Sequence, residues 1–209
     1  MESKVVLCIV HPGNIFAKTF FSIYYLDKPK SFELAEVEGT NVAMQRNIAV
    51  RGFLQTDFTH LLFVDSDMII PKNALMKLLS NGKDVVTGLY FQKKEPIFPV
   101  IGKRLGDRLE WLVDYQQNSL IEVEYCGMGC LLIKREVLET MLPKIEVIDG
   151  IPQFFRYSKN FTEDIYFCDK VRENGFTIFC DTTVKCGHIR QTSVTEADFI
   201  KSKGKIVTG

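Results

Sequence analysis

Residues 61–68 read Leu61-Leu62-Phe63-Val64-Asp65-Ser66-Asp67-Met68, four apolar residues followed at once by two carboxylates. An apolar run without alternation predicts a strand that is buried on both faces, as in the middle of a parallel sheet covered by helices. In such sheets, ligands bind just beyond the carboxyl ends of the strands. The two aspartates lie at that position, so the sequence predicts a ligand site there.

The spacing of Asp65 and Asp67 would point both carboxylates the same way on an ideal strand. Neighbouring carboxylates repel unless a proton or a cation lies between them, and hard oxygen ligands suit Mg²⁺ or Mn²⁺. The alternative is that Asp65 ends the strand and Asp67 begins a turn before Pro71. An isolated Asp-x-Asp favours that alternative, so the metal interpretation depends on the rest of the chain.

Working outward, apolar runs alternate with amphipathic stretches. We predict strands at 4–10, 31–38, 61–64, 84–90, 121–125, 130–133 and 176–180, and helices at 16–25, 41–54, 71–79, 135–141 and 163–173. A hairpin turn is expected at 102–108 and a loop at 154–160. This alternation predicts a single-domain, Rossmann-like αβα sandwich with a mainly parallel central sheet.

Composition limits the functional class. The 209 residues contain 26 basic and 26 acidic side chains, so no overall positive field favours nucleic acid as the main partner. Neither a Gly-x-Gly-x-x-Gly turn nor a Gly-Lys-Ser/Thr phosphate loop is present. A nucleotide would therefore have to be held by a metal ion and scattered contacts.

The six cysteines include no Cys-x-x-Cys pair, and most lie in apolar segments. We expect free thiols and a reducing, cytoplasmic compartment. Cys180, Cys186 and His188 could gather zinc, but their spacing matches no closed zinc site. The apolar run at 5–10 is too short for a signal peptide or a membrane span, so no stable membrane insertion is expected.

Four blocks in order resemble the nucleotide-diphospho-sugar glycosyltransferases of the GT-A fold, particularly the family-two-like type. They are QRNIAVRGFL at 45–54, HLLFVDSDMIIP at 60–71, YCGMGCLLIKREVL at 125–138 and FTEDIYFCD at 161–169. The resemblance covers about residues 4–190. It implies one glycosyltransferase domain over 1–209, with a donor-binding half at about 1–90, an acceptor and catalytic half at about 91–190, and a basic tail at 191–209.

The resemblance also implies the catalytic roles. Asp67 would coordinate Mn²⁺ or Mg²⁺ between the donor phosphates, and Asp65 would contact the ribose or the water shell of the metal. His188 would close the metal site, or alternatively would be a loop histidine bonded to backbone. Asp164 would be the general base, supported by Glu163. The structural alternative is that both acids only favour the start of their helix through its dipole.

The binding residues follow the same resemblance. His11, Pro12 and Gly13 after the first strand and Glu38 after the second are placed to meet the donor nucleoside. Arg46, Ser66 and the two aspartates complete the donor set, although Arg46 on its amphipathic helix could equally face water. The acceptor set is Trp111, Gly127, Met128 and Gly129; Trp111 could instead belong to the core or to a flap, and the glycines could serve packing.

The resulting hypothesis is a soluble, metal-dependent, inverting, hexosyltransferase-like enzyme that uses a nucleotide-sugar donor, UDP-linked rather than GDP-linked by default. The alternatives are a nucleotidyltransferase of related fold and a non-catalytic nucleotide- or carbohydrate-binding module. The first lacks support because residues 11–14 do not form the glycine-rich, basic loop of those enzymes. The acceptor remains open among glycan, protein, lipid and nucleic acid, and the short chain makes a homo-oligomer conceivable.

Overall fold

The elements of the chain follow the predicted alternation. The structure, a computed structural model, describes residues 3–105, 108–158 and 161–191. The strands are β1 (Lys4–His11), β2 (Ser31–Glu38), β3 (His60–Asp65), β4 (Met68–Ile69), β5 (Val85–Leu89), β6 (Ile101–Leu105), β7 (Arg108–Trp111), β8 (Leu120–Val123), β9 (Tyr125–Cys126), β10 (Cys130–Lys134), β11 (Val147–Ile148), β12 (Ile151–Pro152), β13 (Ile178–Lys185) and β14 (Gly187–His188). The helices are α1 (Ala17–Tyr24), α2 (Val42–Leu54), α3 (Ala74–Ser80), α4 (Arg135–Met141) and α5 (Glu163–Glu173).

The central sheet is mixed, with most strands pointing one way. Among the described residues it has seven strands in the order β2-β1-β3-β10-β5-β13-β8. β1 is parallel to β2 and β3, and β5 is parallel to β13. Because β10 is antiparallel to both β3 and β5, those two strands share a direction. Only β10 and β8 run against the other five, which confirms the predicted mainly parallel α/β sheet.

The sheet is buried on both faces because its central strands carry unbroken apolar runs, such as residues 61–64 of β3. Leu61 and Phe63 of β3 join the core that includes α2, α4 and α5. Leu62 and Val64 join the core that includes α1 and α3. Successive side chains of a strand point to opposite faces, so an unbroken apolar run feeds both cores. This arrangement leaves the strand ends as the place where polar groups meet.

The termini of the helices agree in part with the predictions. Asn41 caps α2, its side chain accepting a 3.1 Å hydrogen bond from Met44 N. The predicted helix start at Pro71 is wrong, because Ala74 N donates to Pro71 O in a turn and α3 begins only at Ala74.

The predicted strand at 121–125 is two strands. Leu120–Val123 pairs with β13, whereas Tyr125–Cys126 pairs with β6 in a separate sheet. The alternating sequence at 121–125 therefore continues across the point where the chain leaves β13 and pairs with β6. The hairpin at 102–108 is present as β6 and β7, but its turn at 106–107 lies outside the described residues, as do residues 159–160 of the predicted loop and residues 192–209 of the predicted basic tail.

All six cysteines are free and buried, as the sequence predicted. Burial and, to a smaller extent, the charge of Glu36 raise the pKa of Cys8 to about 12 against a lowering effect of Arg46, so this thiol stays protonated at neutral pH. Within the described ranges, no three His, Cys, Asp or Glu side chains gather as a metal site. The zinc alternative at Cys180, Cys186 and His188 is therefore not assembled. No helix in the described part of the chain is both long and apolar enough to cross a bilayer.

Candidate functional site

The site lies at the carboxyl ends of three adjacent parallel strands. His11 at the end of β1 is paired with Glu38 at the end of β2, and Val10 is paired with Asp65 at the end of β3. The register of the sheet therefore brings together residues that are 27 and 55 positions apart in the sequence. This is the edge at which the sequence predicted a ligand.

Two cavities open at this edge, and Asp67 lines both. The smaller, of about 260 Å³, is lined by Val10, His11, Pro12, Gly39, Thr40, Val42, Gln45, Asp65, Ser66, Asp67 and Tyr157. The larger, of about 570 Å³, is lined by Asn14, Phe16, Asp67, Lys93, Lys94, Glu95, Ile189, Arg190 and Gln191. The first therefore contains five residues of the predicted donor set, and the second presents three cationic side chains.

His11 is held in one orientation at the floor of the smaller cavity. Its Nδ1 accepts a 3.1 Å hydrogen bond from Gly13 N, and its Nε2 lies 2.5 Å from a carboxylate oxygen of Glu36. Because Nδ1 accepts, the ring proton is on Nε2 and is donated to Glu36. Gly13 has a φ of +105°, and a Cβ there would come within 3.4 Å of Glu38 Oε1. Glycine thus allows this turn to approach Glu38.

Asp67 is surrounded by cationic or proton-donating groups. Lys93 Nζ bonds to Asp67 Oδ2, and His188 Nε2 lies 3.4 Å from Asp67 Oδ1. Burial acts to raise the pKa of Asp67, but the hydrogen bonds from His188 and Lys93 outweigh it and lower the pKa to about 2. For His188, burial acts to lower the pKa, and the bonds to Asp67 and to Phe91 O outweigh it, so that the pKa is raised. The carboxylate is therefore ionised and oriented for a cation.

Asp67 and His188 are two side chains of the predicted metal site that face each other. His188 Nδ1 lies 2.9 Å from Phe91 O, which can only accept, so Nδ1 carries a proton and Nε2 faces Asp67. A histidine that ligates a metal commonly donates its other ring N–H to a backbone carbonyl in this way. The raised pKa of His188 favours a proton between Nε2 and the carboxylate, and a cation bound there would replace that proton. Asp65, the third member of the predicted trio, has an ion-pair partner of its own, and its metal role stays a prediction.

That partner is Arg46, which is buried at 3% exposure and ties β3 to the start of α5. Its Nη2 lies 2.9 Å from Asp65 Oδ1, and its Nη1 lies 2.5 Å from Glu163 Oε1. Burial acts to lower the pKa of Arg46, and Asp65, Glu163 and the nearby Asp164 together raise it. Arg46 therefore does not face water, and its guanidinium is committed to two carboxylates.

Asp164, the predicted base, lies beside this ion-pair network in the first turn of α5. It is partly exposed, and its Oδ1 accepts from Ile165 N at 2.8 Å and from the Thr162 hydroxyl. Thr162 is the predicted N-cap residue by position, but its side chain bonds to Asp164 and makes no capping hydrogen bond. One oxygen of Asp164 is thus oriented by local contacts, and the side chain still reaches solvent.

The glycines at 127 and 129 approach neighbouring side chains closely. A Cβ on Gly127 would lie 1.8 Å from the Tyr90 hydroxyl, and one on Gly129 would lie 3.1 Å from Met68 Sδ. The tyrosine hydroxyl also accepts a 3.2 Å hydrogen bond from Gly129 N. The side chain of Met128 is buried. The two glycines therefore let this segment pack closely against Tyr90 and Met68. Contact with an acceptor stays a prediction.

Trp111 lies on β7, partly exposed and stacked on Phe98 with ring centroids 5.1 Å apart. Phe98 follows the segment that carries Lys93 and Lys94. This stack joins the hairpin of β6 and β7 to the loop that precedes β6, and the core and flap alternatives both stay predictions. Contact with an acceptor stays a prediction here as well.

Comparison with known proteins gives the fold. No protein-family model and no curated protein matches the chain. Among solved structures, A197 from STIV is similar at a TM-score of 0.66 and 22% identity, over 90% of this chain and 86% of that one. GalNAc-T7, solved with UDP, GalNAc and Mn²⁺, is similar at a TM-score of 0.63 and 11% identity, over 96% of this chain and 47% of that one. The chain has a GT-A-like fold. It spans about half the length of the GalNAc-T7 chain.

Several residues of this site escaped the sequence prediction. They are Glu36, Gln45, Lys93, Tyr157 and Arg190. A signal existed for Lys93, because it follows the strand predicted at 84–90, whose carboxyl end meets the same edge of the sheet. Tyr157 gives no such signal, since it comes from a loop that only packing brings to the smaller cavity.

Proposed function

We propose that this chain is a metal-dependent, inverting glycosyltransferase that moves a hexose-like sugar from a nucleoside-diphosphate donor to an acceptor hydroxyl. The observation that carries the proposal is Asp67, an ionised carboxylate facing the imidazole of His188 where the two cavities meet. A nucleoside in the smaller cavity would place its phosphates beside that carboxylate. A uridine diphosphate is the favoured donor, and a guanosine diphosphate is the alternative.

The donor would be held by groups from both cavities. His11, Pro12 and Ser66 line the space for the nucleoside, and Asp65 lies there for a ribose hydroxyl. Lys93, Lys94 and Arg190 line the larger cavity and would balance the diphosphate charge. Asp67 and His188 would hold Mn²⁺ or Mg²⁺, which when bound stabilises the charge that develops on the leaving diphosphate.

The acceptor would be activated by Asp164. A partly exposed carboxylate with one oriented oxygen can take the proton of a hydroxyl as that oxygen attacks the anomeric carbon, and attack from the face opposite the leaving group gives inversion. Glu163 and Arg46 do not contact reacting atoms in this scheme. They are positioning residues that join the catalytic helix to the end of the donor strand.

The test is a calorimetric titration of UDP, GDP, CDP and dTDP into the full chain, with and without Mn²⁺. We expect one diphosphate to bind in a metal-dependent manner, and Asp67→Ala to remove the metal dependence. Asp114→Ala, at an exposed aspartate away from the cavities, is the matched control and should bind as the wild type does. Absence of metal-dependent binding for all four nucleotides would refute the proposal.

A second variant separates binding from transfer. Asp164→Asn should bind the donor within about twofold of the wild type and lose about 10²–10⁴-fold in turnover, the usual contribution of a general base. Slow hydrolysis of the donor sugar by water provides an assay before an acceptor is known. Near-normal turnover by this variant would disprove the assignment of the base. Binding without turnover in the wild type over a broad acceptor panel would instead indicate a non-catalytic binding module.

A further inference from the structure

Helix α1 presents an exposed aromatic surface that the proposed activity does not use. Phe20, Phe21, Tyr24 and Tyr25 are 47%, 53%, 62% and 62% exposed. Phe20 stacks on Tyr24 and Phe21 stacks on Tyr25, with ring centroids 6.4 Å apart in both pairs. Contiguous exposed apolar surface of this kind marks interaction sites on soluble domains. We call these four side chains the aromatic face.

The aromatic face is fixed on the body of the protein. Ile23 and Leu26 are buried in the core beneath α1. Ser22 Oγ accepts a 3.2 Å hydrogen bond from Ile70 N, and Asp27 N donates to Lys72 O at 2.7 Å. The helix is therefore anchored by one side to the segment that follows Asp67. Its four rings form a preordered surface.

Lysines border the aromatic face. Lys18 and Lys72 line a mostly apolar groove of about 350 Å³ together with Phe21 and Tyr25. Lys28 donates to Tyr24 O at 2.8 Å, and its Nζ lies 5.5 Å from the centre of the Phe32 ring. The sequence of α1, AKTFFSIY, contains no acidic residue. Lys72 Nζ also lies 3.7 Å from Asp27 Oδ1, so the charge of Lys72 is partly offset. Lys18 and Lys28 place positive charge beside the exposed rings. This combination matches a surface that is apolar below and anionic above.

We propose that the aromatic face docks on the surface of an anionic lipid bilayer. Phenylalanine rings would enter the boundary between headgroups and acyl chains, the two tyrosines would lie at headgroup level, and the lysines would meet lipid phosphates. This is attachment to one leaflet rather than insertion across it. The inference does not depend on the proposed activity, because it uses neither the donor cavities nor Asp67.

A second copy of the chain fits this surface less well. A two-fold contact centred on the aromatic face would bring each patch against itself. It would therefore place Lys18 of one copy near Lys18 of the other, and like charges across an interface are unfavourable. An anionic bilayer has no such conflict.

The docking surface lies beside the larger cavity. α1 begins one residue after Phe16, which lines that cavity and whose backbone N donates to Ser66 O at 3.1 Å. A bilayer bound to the aromatic face would therefore lie next to the Phe16 wall of the cavity. If the proposed activity holds, an acceptor carried at the bilayer surface would be close to the site.

The experiment is co-sedimentation of the full chain with sucrose-loaded vesicles, of phosphatidylcholine alone or mixed with phosphatidylglycerol. We expect binding to the mixed vesicles that weakens as salt is added. The double variant Phe20→Gln with Phe21→Gln should bind at least about tenfold more weakly. About half of each ring is exposed and can be buried in the bilayer, so each substitution removes about half of the free energy of burying a whole phenylalanine side chain. Lys18→Gln should weaken binding about fivefold, and Lys72→Gln should weaken it less, because Lys72 is paired with Asp27.

Matched controls separate the surface from general effects. Leu105 and Val113 are 67% and 64% exposed. Leu105 ends β6 and Val113 follows β7, so neither belongs to the aromatic face. The double variant Leu105→Gln with Val113→Gln should therefore bind vesicles as the wild type does. Lys103→Gln is the corresponding charge control. Circular dichroism and thermal midpoints should show every variant folded.

Three outcomes would overturn the inference. They are no binding to mixed vesicles, equal loss of binding in the control variants, and equally tight binding to phosphatidylcholine alone. Light scattering adds a fourth: a wild-type dimer that the double Phe variant dissociates, without vesicle binding, would assign the aromatic face to a second copy. None of these measurements requires nucleotide or turnover, so their failure is distinct from failure of the proposed activity.

Discussion

Replacing Arg46 by methionine would leave two carboxylates without the cation that now lies between them. Arg46 bonds to Asp65 at 2.9 Å and to Glu163 at 2.5 Å. Its side chain is 4% exposed and that of Glu163 is 10% exposed. Breaking a buried ion pair costs about 3–5 kcal/mol, since the remaining charge stays buried. Methionine keeps most of the aliphatic volume, so the effect reports charge rather than a cavity.

The magnitude can be refined from the exposure of the two partners. The Asp65 side chain is 28% exposed and is partly solvated once Arg46 is gone. Breaking the Arg46–Asp65 pair should therefore cost a free energy closer to that of a surface ion pair. Glu163 carries most of the penalty. We therefore expect Arg46→Met to lower the free energy of unfolding by about 3–4 kcal/mol, measured from urea unfolding with unchanged m-value.

Arg172 provides the matched control. Its pair with Glu124 has the same 2.9 Å separation as the Arg46–Asp65 pair, but the two side chains are 34% and 29% exposed. Arg172→Met should therefore cost less than about 1 kcal/mol. Equal costs for the two methionine variants would refute the reasoning, because burial is the difference between them.

A further arm tests the source of the penalty. Adding Glu163→Gln to Arg46→Met removes the charge that is most deeply buried, so part of the stability should return in the double variant. No recovery would show that the loss comes from packing against Phe155, whose ring centre lies 5.9 Å from the guanidinium carbon.

Two further predictions concern stability. Gly127→Ala should lower the free energy of unfolding by about 1–3 kcal/mol, the usual cost of overpacking, because its Cβ would meet the Tyr90 hydroxyl at 1.8 Å. Gly52→Ala, in α2 with nothing within 4 Å, is the control and should stabilise by up to about 1 kcal/mol; urea unfolding that ranks the two variants the other way would contradict this. For Asp181, burial acts to raise the pKa, but hydrogen bonds from Asn81 and Thr183 outweigh it and lower the pKa. The stabilisation by ionised Asp181 is therefore fully present above the unfolded pKa of about 3.9 and is lost as pH falls through the folded pKa. The loss of unfolding free energy caused by Asp181→Asn, measured by urea unfolding, should therefore shrink below about pH 4. A loss that does not change with pH would disprove this prediction.

The sequence by itself predicted much of the framework of this site. The unbroken apolar run at 61–64 required a strand covered on both faces, and both cores now contain it. The carboxyl-end rule then located His11, Glu38, Asp65 and Asp67 at one edge, where the sheet register places the first three together. These inferences succeed because periodicity and strand direction are local properties of the chain.

Pairing between distant side chains was decided only by the tertiary structure. Arg46 could equally have faced water by its helical position, and packing alone buries it against Glu163, 117 residues away. His11 bonds to Glu36, a residue that the sequence did not single out, and Lys93 bonds to Asp67 from a loop that carries no periodic signal. A one-dimensional pattern reports which face a residue occupies, whereas the partner on that face depends on how whole elements pack. The position of the site at the carboxyl ends of the strands could therefore be predicted from the sequence. The network of ion pairs at that position could not.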